Sequence, residues 1–217
     1  MVNWPAIDTV LLDMDGTLLD LSFDNYFWLE YLPSRYATHH ACDLASARQY
    51  LHNLSDSLHG SLNWYCLDYW SERLCMDIEA LKTEVKHLIR FRPSTIEFLA
   101  FLQAQGKRVI LVTNAHPKAL RLKLSASGLD KHLQTTISSH HFLLAKENAG
   151  FWDKLREHAN LNYARCLFID DSLNVLRRAK AEGVHNLLHV LQPDMTQAIQ
   201  QKAEFPGLTD FRELMAP

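Results

Sequence analysis

The sequence predicts an α/β protein: a parallel sheet covered on both faces and interrupted, after its first strand, by an all-helical insertion. Two observations carry that expectation. Short β-branched or aliphatic runs at 7–12, 108–112, 135–138, 165–169 and 185–191 alternate with amphipathic patterns at 94–105, 117–127, 147–159 and 172–182. Strands alternating with helices imply a parallel sheet. The stretch 21–90 breaks the alternation: it is rich in aromatics, leucine and charged residues at helical spacing, without a convincing strand, and reads as several helices.

The first strand ends Val10-Leu11-Leu12 and stops at a carboxylate, and the insertion follows soon after. Pro93-Ser94 marks the return to alternation. Ser94 is expected to cap the helix over 94–105, with Glu97 three residues on completing a capping box. Gly106, Gly128 and Gly183 each follow a helical pattern, where a left-handed residue commonly ends the helix. The expected domains are a Rossmann-like α/β core of residues 1–20 and 91–217 and a helical cap of residues 21–90.

Composition narrows the function. Apolar residues make up 47% and charged residues 22% of the 217, an ordinary globular balance, and a net charge of −3 gives no electrostatic case for a nucleic acid polymer as partner. No run approaches the roughly 18 apolar residues of a membrane span. Met1-Val2-Asn3-Trp4-Pro5 lacks the basic and apolar segments of a secretory signal. Cys42, Cys66, Cys75 and Cys166 form no Cys-x-x-Cys pair, so a reduced, cytoplasmic protein is expected. His39-His40-x-Cys42 and His140-His141 have no second ligand pair at metal-binding spacing and read as a helix end and a loop.

The chemistry begins at Val10-Leu11-Leu12-Asp13-Met14-Asp15-Gly16-Thr17-Leu18. An apolar strand ends in two carboxylates, where open α/β sheets bind ligands. Such carboxylates can hold a hard cation. One can also attack phosphorus while the other serves as general acid and base. An acidic turn is the plain alternative; a calcium loop is excluded because the third oxygen ligand and the glutamate at position 12 are missing. Three further motifs are each unspecific alone. Thr113-Asn114 ends the 108–112 run with two hydrogen-bond donors suited to phosphate oxygens, or with a helix-entry turn. Lys146 could neutralise a phosphoryl group, although a lone lysine is more often solvated. Asp170-Asp171 follows an apolar strand and needs a cation or basic partner nearby, and Ser172 could cap the next helix. All four groups fall at strand ends, hence on one edge of one sheet. Gln105-Gly106-Lys107-Arg108 lacks the spacing of a phosphate-binding P-loop.

In that order, Asp-x-Asp-Gly-Thr, Thr-Asn, Lys and Asp-Asp resemble the four motifs of the haloacid dehalogenase-like superfamily, and the helical insertion between the first two resembles its C1 cap. The stretches 8–21, 23–28, Leu62-Asn63-Trp64-Tyr65-Cys66-Leu67-Asp68-Tyr69-Trp70-Ser71-Glu72 and 113–117 resemble bacterial GMP/IMP 5′-nucleotidases. One departure is that Leu143-Leu144-Ala145-Lys146-Glu147 has neither the proline after the lysine nor the glycine before it that many relatives carry.

The resemblance implies a magnesium-dependent phosphomonoester hydrolase. Asp13 would be the nucleophile and Asp15 the general acid and base. Thr113, Asn114 and Lys146 would bind phosphate. Mg2+ would be held by Asp13, the Asp15 carbonyl, Asp170 and Asp171. A small phosphomonoester, a purine nucleoside 5′-monophosphate in the nearest subfamily, would be the substrate. A sugar-phosphate phosphatase or phosphomutase is the alternative, and a non-catalytic binding module a more distant one. Dehalogenation is disfavoured because it has no need of Asp15. Among the cap aromatics (Tyr26, Phe27, Trp28, Tyr31, Trp64, Tyr65, Tyr69, Trp70) some ring could stack on a purine. The i,i+4 pairs Tyr65/Tyr69 and Cys66/Trp70 suit the cap's own core instead. Asn25, Asn63 and Asp68 are candidates for reading base edges.

Overall fold

Val10, Leu11 and Leu12 are all fully buried, which requires cover on both faces of the strand they form. A computed structural model describes residues 2–201 and 204–215. Its parallel sheet contains β1 (Thr9–Leu12), β2 (Arg108–Thr113), β3 (Thr135–Ser138), β4 (Cys166–Asp170), β5 (Asn186–Val190) and β6 (Gly207–Leu208), in the order β3-β2-β1-β4-β5-β6. The period-2 alternation of a strand divides the core in two. Val10 and Leu12 point to one face, with Leu111 and Ile169, and meet Phe98, Leu102 and Phe211. Leu11 points to the other, with Ile110 and Phe168, and meets Phe151, Trp152 and Leu176.

Residues 22–84 supply the short helices α1 (Ser22–Tyr26), α2 (Leu32–His39), α3 (Leu44–Leu58), α4 (Leu62–Tyr65), α5 (Leu67–Leu74) and α6 (Ile78–Glu84), with no strand among the described residues there. α1 runs into α2 through a wide π turn over Phe27–Tyr31. Pro33 explains it: it has no N–H to offer Leu29, and its ring would strike that carbonyl in a regular helix. The helices α7 (Thr95–Ala104), α8 (Pro117–Ser127), α9 (Phe151–Ala159), α10 (Leu173–Ala181) and α11 (Arg212–Met215) complete the core. No described helix is long and apolar enough to cross a membrane.

The two connections between the sheet and the helical insertion lie side by side. Asp20 N donates to the Arg90 carbonyl and Arg92 N to the Leu18 carbonyl, each at 3.0 Å, and Leu19 and Phe91 bridge in antiparallel fashion. Arg90 Nε adds a 2.9 Å contact to Asp20 Oδ2. The buried guanidinium of Arg92 donates to the carbonyls of Thr17, Gln192 and Thr209, which tie the loop after β1 to the carboxyl-terminal segment.

Three expectations need correction. The helix expected at 147–159 starts only at Phe151, because Asn148 and Gly150, the latter at φ 83, shape residues 146–150 into a loop. Ser94 builds no capping box: it sits at φ 59 in the left-handed region and makes no capping hydrogen bond. β6 was not expected at all, since two residues are too few to show a period.

Arg92→Met would leave one buried and two half-buried carbonyls without their donor. It is expected to lower unfolding stability by about 3 kcal/mol or more, read as a lower urea midpoint at unchanged m-value.

Candidate active site

β1 leads to β2 and β3 on one side of the sheet, and β4 leads to β5 and β6 on the other, so the crevice where strand order reverses lies between β1 and β4. Leu12 pairs with Ile169 and with Leu111, which sets Asp13 beside Asp170 and brings Thr113 to the same edge. The loop after β1 then turns back sharply, with Leu18 N and Leu19 N both donating to the Met14 carbonyl. Gly16 permits this. It sits at φ 83, and a Cβ there would lie 2.6 Å from Asp171 Oδ2 and 2.9 Å from Pro193.

Lys146 is buried at 2% exposure, unlike a solvated surface lysine. Its Nζ donates to Asp13 Oδ1, to Asp170 Oδ2 at 2.7 Å and to the Val112 carbonyl at 3.2 Å. The segment ahead of it lacks glycine and proline, yet Leu143 adopts φ 57, the conformation a glycine takes most cheaply. The loop is then held by side-chain amides. Asn114 Oδ1 accepts from Lys146 N, Asn114 Nδ2 donates to Glu147 Oε2, and Asn148 Oδ1 accepts from Ala145 N. Asn114 thus braces Lys146 in addition to standing at the sheet edge. Thr113 Oγ1 accepts from Ala115 N, which leaves its proton free to donate.

Burial pushes Asp13 up to about 6 against the opposing pull of Lys146. Burial likewise raises Asp170, and Asp171 rises well above the ordinary range, with the charges of Asp170 and Asp13 adding to burial. Lys146 pairs with Asp13 and Asp170 but, among the described residues, not with Asp171. Three buried carboxylates and one ammonium leave negative charge uncompensated, and oxygen donors of that kind fit a hard divalent cation. The Asp15 carbonyl and the carboxylates of Asp13, Asp170 and Asp171 are the residues present to hold it. The Ser172 side chain makes no helix-capping hydrogen bond; its N–H donates to Asp170 Oδ1 instead.

A second buried charge network escaped the sequence reading. Lys123 Nζ lies 2.7 Å from Asp15 Oδ1 and 2.6 Å from Asp24 Oδ2, and Asp24 Oδ1 accepts from Lys82 Nζ at 2.8 Å. Lys82 packs over the rings of Phe23, Phe27 and Trp28. Burial raises Asp15 to about 6, opposed by Lys123, while the two lysines overcome burial at Asp24 and hold it well below the carboxylate range. The available signal was a lysine at an apolar helical position: Lys123 follows Ala119 by four residues, and Lys82 follows Ile78 by four.

Above the carboxylates lies a cavity of about 1250 Å³ between sheet edge and helical insertion. Of the cap rings, Trp28, Trp64, Tyr65 and Trp70 line it, whereas Tyr26, Phe27, Tyr31 and Tyr69 do not. Tyr65 gives its hydroxyl hydrogen to Glu147 and Trp64 Nε1 donates to Ser55, so both rings are fixed. The base-reading candidates fare unevenly. Asn25 lines the cavity but donates to Asp194, Asp68 is paired with Lys118, and neither Asp68 nor Asn63 lines the cavity.

Residues 7–183 match the model of a haloacid dehalogenase-like hydrolase. The chain belongs to the haloacid dehalogenase-like hydrolase family and is an enzyme of that family. It is 44% identical over 214 residues to the GMP/IMP nucleotidase YrfG of Escherichia coli (strain K12), covering 99% of this chain and 96% of that protein, and equally similar to the same nucleotidase of Shigella flexneri. A solved HAD phosphatase from Thermococcus onnurineus superposes with a TM-score of 0.79 at 20% identity, with 96% of each chain covered. The six-stranded parallel sheet of the described residues is therefore the α/β fold of this hydrolase family.

Gly16→Ala is expected to cost about 1–2 kcal/mol from its left-handed backbone, and to push the Asp171 carboxylate aside. Thermal unfolding should register the first effect, and a weakened stabilisation by added Mg2+ the second.

Proposed function

We propose that this family member is a magnesium-dependent phosphohydrolase that acts on purine nucleoside 5′-monophosphates under a helical cap formed by residues 21–90. The observation that carries the reading is the approach of two carboxylates, Asp13 on Lys146 and Asp15 on Lys123, to one crevice beneath a cavity with room for a nucleotide. The 44% identity to a GMP/IMP nucleotidase supports the choice of substrate. A bound Mg2+ would shield the charge that otherwise keeps a carboxylate from a phosphate. In this reading Asp13 attacks phosphorus in line and forms an aspartyl-phosphate. Asp15 gives its proton to the leaving 5′-oxygen, then takes one from the water that hydrolyses the intermediate. The Thr113 hydroxyl and the Lys146 ammonium hold the non-bridging oxygens, and Asn114 holds the Lys146 loop. Lys123 positions Asp15 and limits the rise of its pKa. The cytoplasm is the compartment that suits a nucleotide substrate and four free cysteines.

Asp13→Asn is expected to abolish phosphate release while preserving the fold; hydrolysis at the wild-type rate would overturn the scheme. Lys123→Met removes the cation that lowers Asp15. The proton on Asp15 is then retained to higher pH, so the basic limb of kcat/KM for a nucleotide should move upward. With p-nitrophenyl phosphate, whose leaving group needs little protonation, the shift should shrink.

Trp64→Ala tests the cap. Loss of a base-stacking ring costs about 1–3 kcal/mol, so kcat/KM for GMP and IMP should fall roughly 5- to 150-fold with p-nitrophenyl phosphate nearly unaffected. Equal wild-type rates across nucleoside and sugar phosphates would remove the purine assignment.

A further inference from the structure

Cys66, His116 and His140 take no part in the phosphoryl chemistry, yet the fold gathers them from three separate elements. Cys66 joins α4 to α5 in the helical insertion, His116 follows β2, and His140 lies in the turn after β3. One ligand-type atom from each lies within 4.8 Å of the other two. The two imidazoles meet edge-on with ring centroids 4.8 Å apart. His140 Nε2 is buried with no hydrogen-bond partner among the described residues. A buried polar atom left unpaired costs about 1–3 kcal/mol, so this nitrogen calls for a partner.

We propose that Cys66, His116 and His140 form a second metal site, for a thiophilic divalent ion of the zinc class, that clamps the helical insertion to the core. Two imidazoles and one thiolate are the donors such an ion prefers, and Mg2+ disfavours them. Three protein ligands leave a fourth position for water or for Asp68, whose Oδ2 lies 3.6 Å from His116 Nε2. Zinc bond lengths place neighbouring ligand atoms about 3.3–3.7 Å apart, so the cluster closes on the ion through side-chain shifts on the order of 1 Å. Burial holds the His140 ring down to about 4 and keeps His116 below its ordinary value, so both imidazoles are neutral at neutral pH, the form that binds a metal. The Cys66 thiol proton leaves to solvent when the metal–sulfur bond forms.

The clamp spans the two bodies between which substrate enters, so its occupancy restrains the opening of the cavity and inhibits turnover. That consequence rests on the phosphohydrolase reading; the binding itself does not. The test titrates chelator-stripped protein, returned to saturating Mg2+, with Co2+. One equivalent should produce thiolate-to-cobalt charge-transfer absorption and tetrahedral visible bands that Zn2+ abolishes. Both features should vanish in Cys66→Ser and in His140→Gln, although Cys42, Cys75 and Cys166 remain. Absence of the bands in the wild type, or their survival in either variant, overturns the proposal. In parallel, Zn2+ should inhibit Mg2+-supported phosphate release, and Cys66→Ser should raise the inhibitory concentration at least ~10-fold. The cobalt spectrum needs no turnover, so it remains decisive if the phosphohydrolase reading fails.

Discussion

Asp13, Asp170 and Asp171 meet at the carboxyl ends of β1 and β4, and the buried ammonium of Lys146 bridges the first two. Much of the surrounding structure serves that encounter. Unpaired, the three carboxylates would repel one another at a desolvated strand edge. The register Leu12↔Ile169 fixes how closely Asp13 and Asp170 approach, and Gly16 allows the loop to fold back over Asp171. One lysine against three acids is an incomplete solution, and the shortfall is useful. It leaves oxygen donors suited to a dication, whose own charge would complete the neutralisation.

The second network, Asp15–Lys123–Asp24–Lys82, couples the sheet edge to the helical insertion through charge. Asp15 lies in the loop after β1 and Lys123 on α8, while Asp24 and Lys82 belong to α1 and α6. Asp24 stays ionised because two buried lysines face it, and Lys123 is in turn held by two carboxylates. If the insertion moved away, Asp24 would leave Lys123, and Lys123 would rest on Asp15 alone. The position of the helical insertion and the protonation of Asp15 are therefore linked through a single ammonium group.

The legible parts of the fold and site were those written in local pattern. Strand ends at Leu12, Thr113 and Asp170 could be found because apolar runs stop at polar residues there, and one sheet edge then collected the motif residues. What escaped the sequence was decided by contacts far apart in the chain. Asp24 and Lys123 are 99 residues apart, and their ion pair exists only once α1 and α8 pack together. Cys66, His116 and His140 are similarly dispersed, so His140 looked like half of an isolated histidine pair. The two-residue β6 offers no period to detect, and it persists because His189 N and Leu191 N hydrogen-bond the carbonyls of Pro206 and Leu208.

The segment before Lys146 positions its lysine without a local glycine or proline. Glycine would enter the left-handed turn at little cost, and proline would stiffen the following step. Leu143 instead accepts φ 57, a strain of roughly 1–2 kcal/mol for a side chain, while its apolar body lies largely in solvent at 76% exposure. The compensation comes from Asn114 and Asn148, which satisfy the backbone N–H groups of Lys146 and Ala145, and from Trp152 Nε1, which donates to the Lys146 carbonyl. Both peptide groups of Lys146 are thus fixed by side chains from other elements. Its ammonium is aimed by tertiary hydrogen bonds, which stand in for the local turn residues the segment lacks.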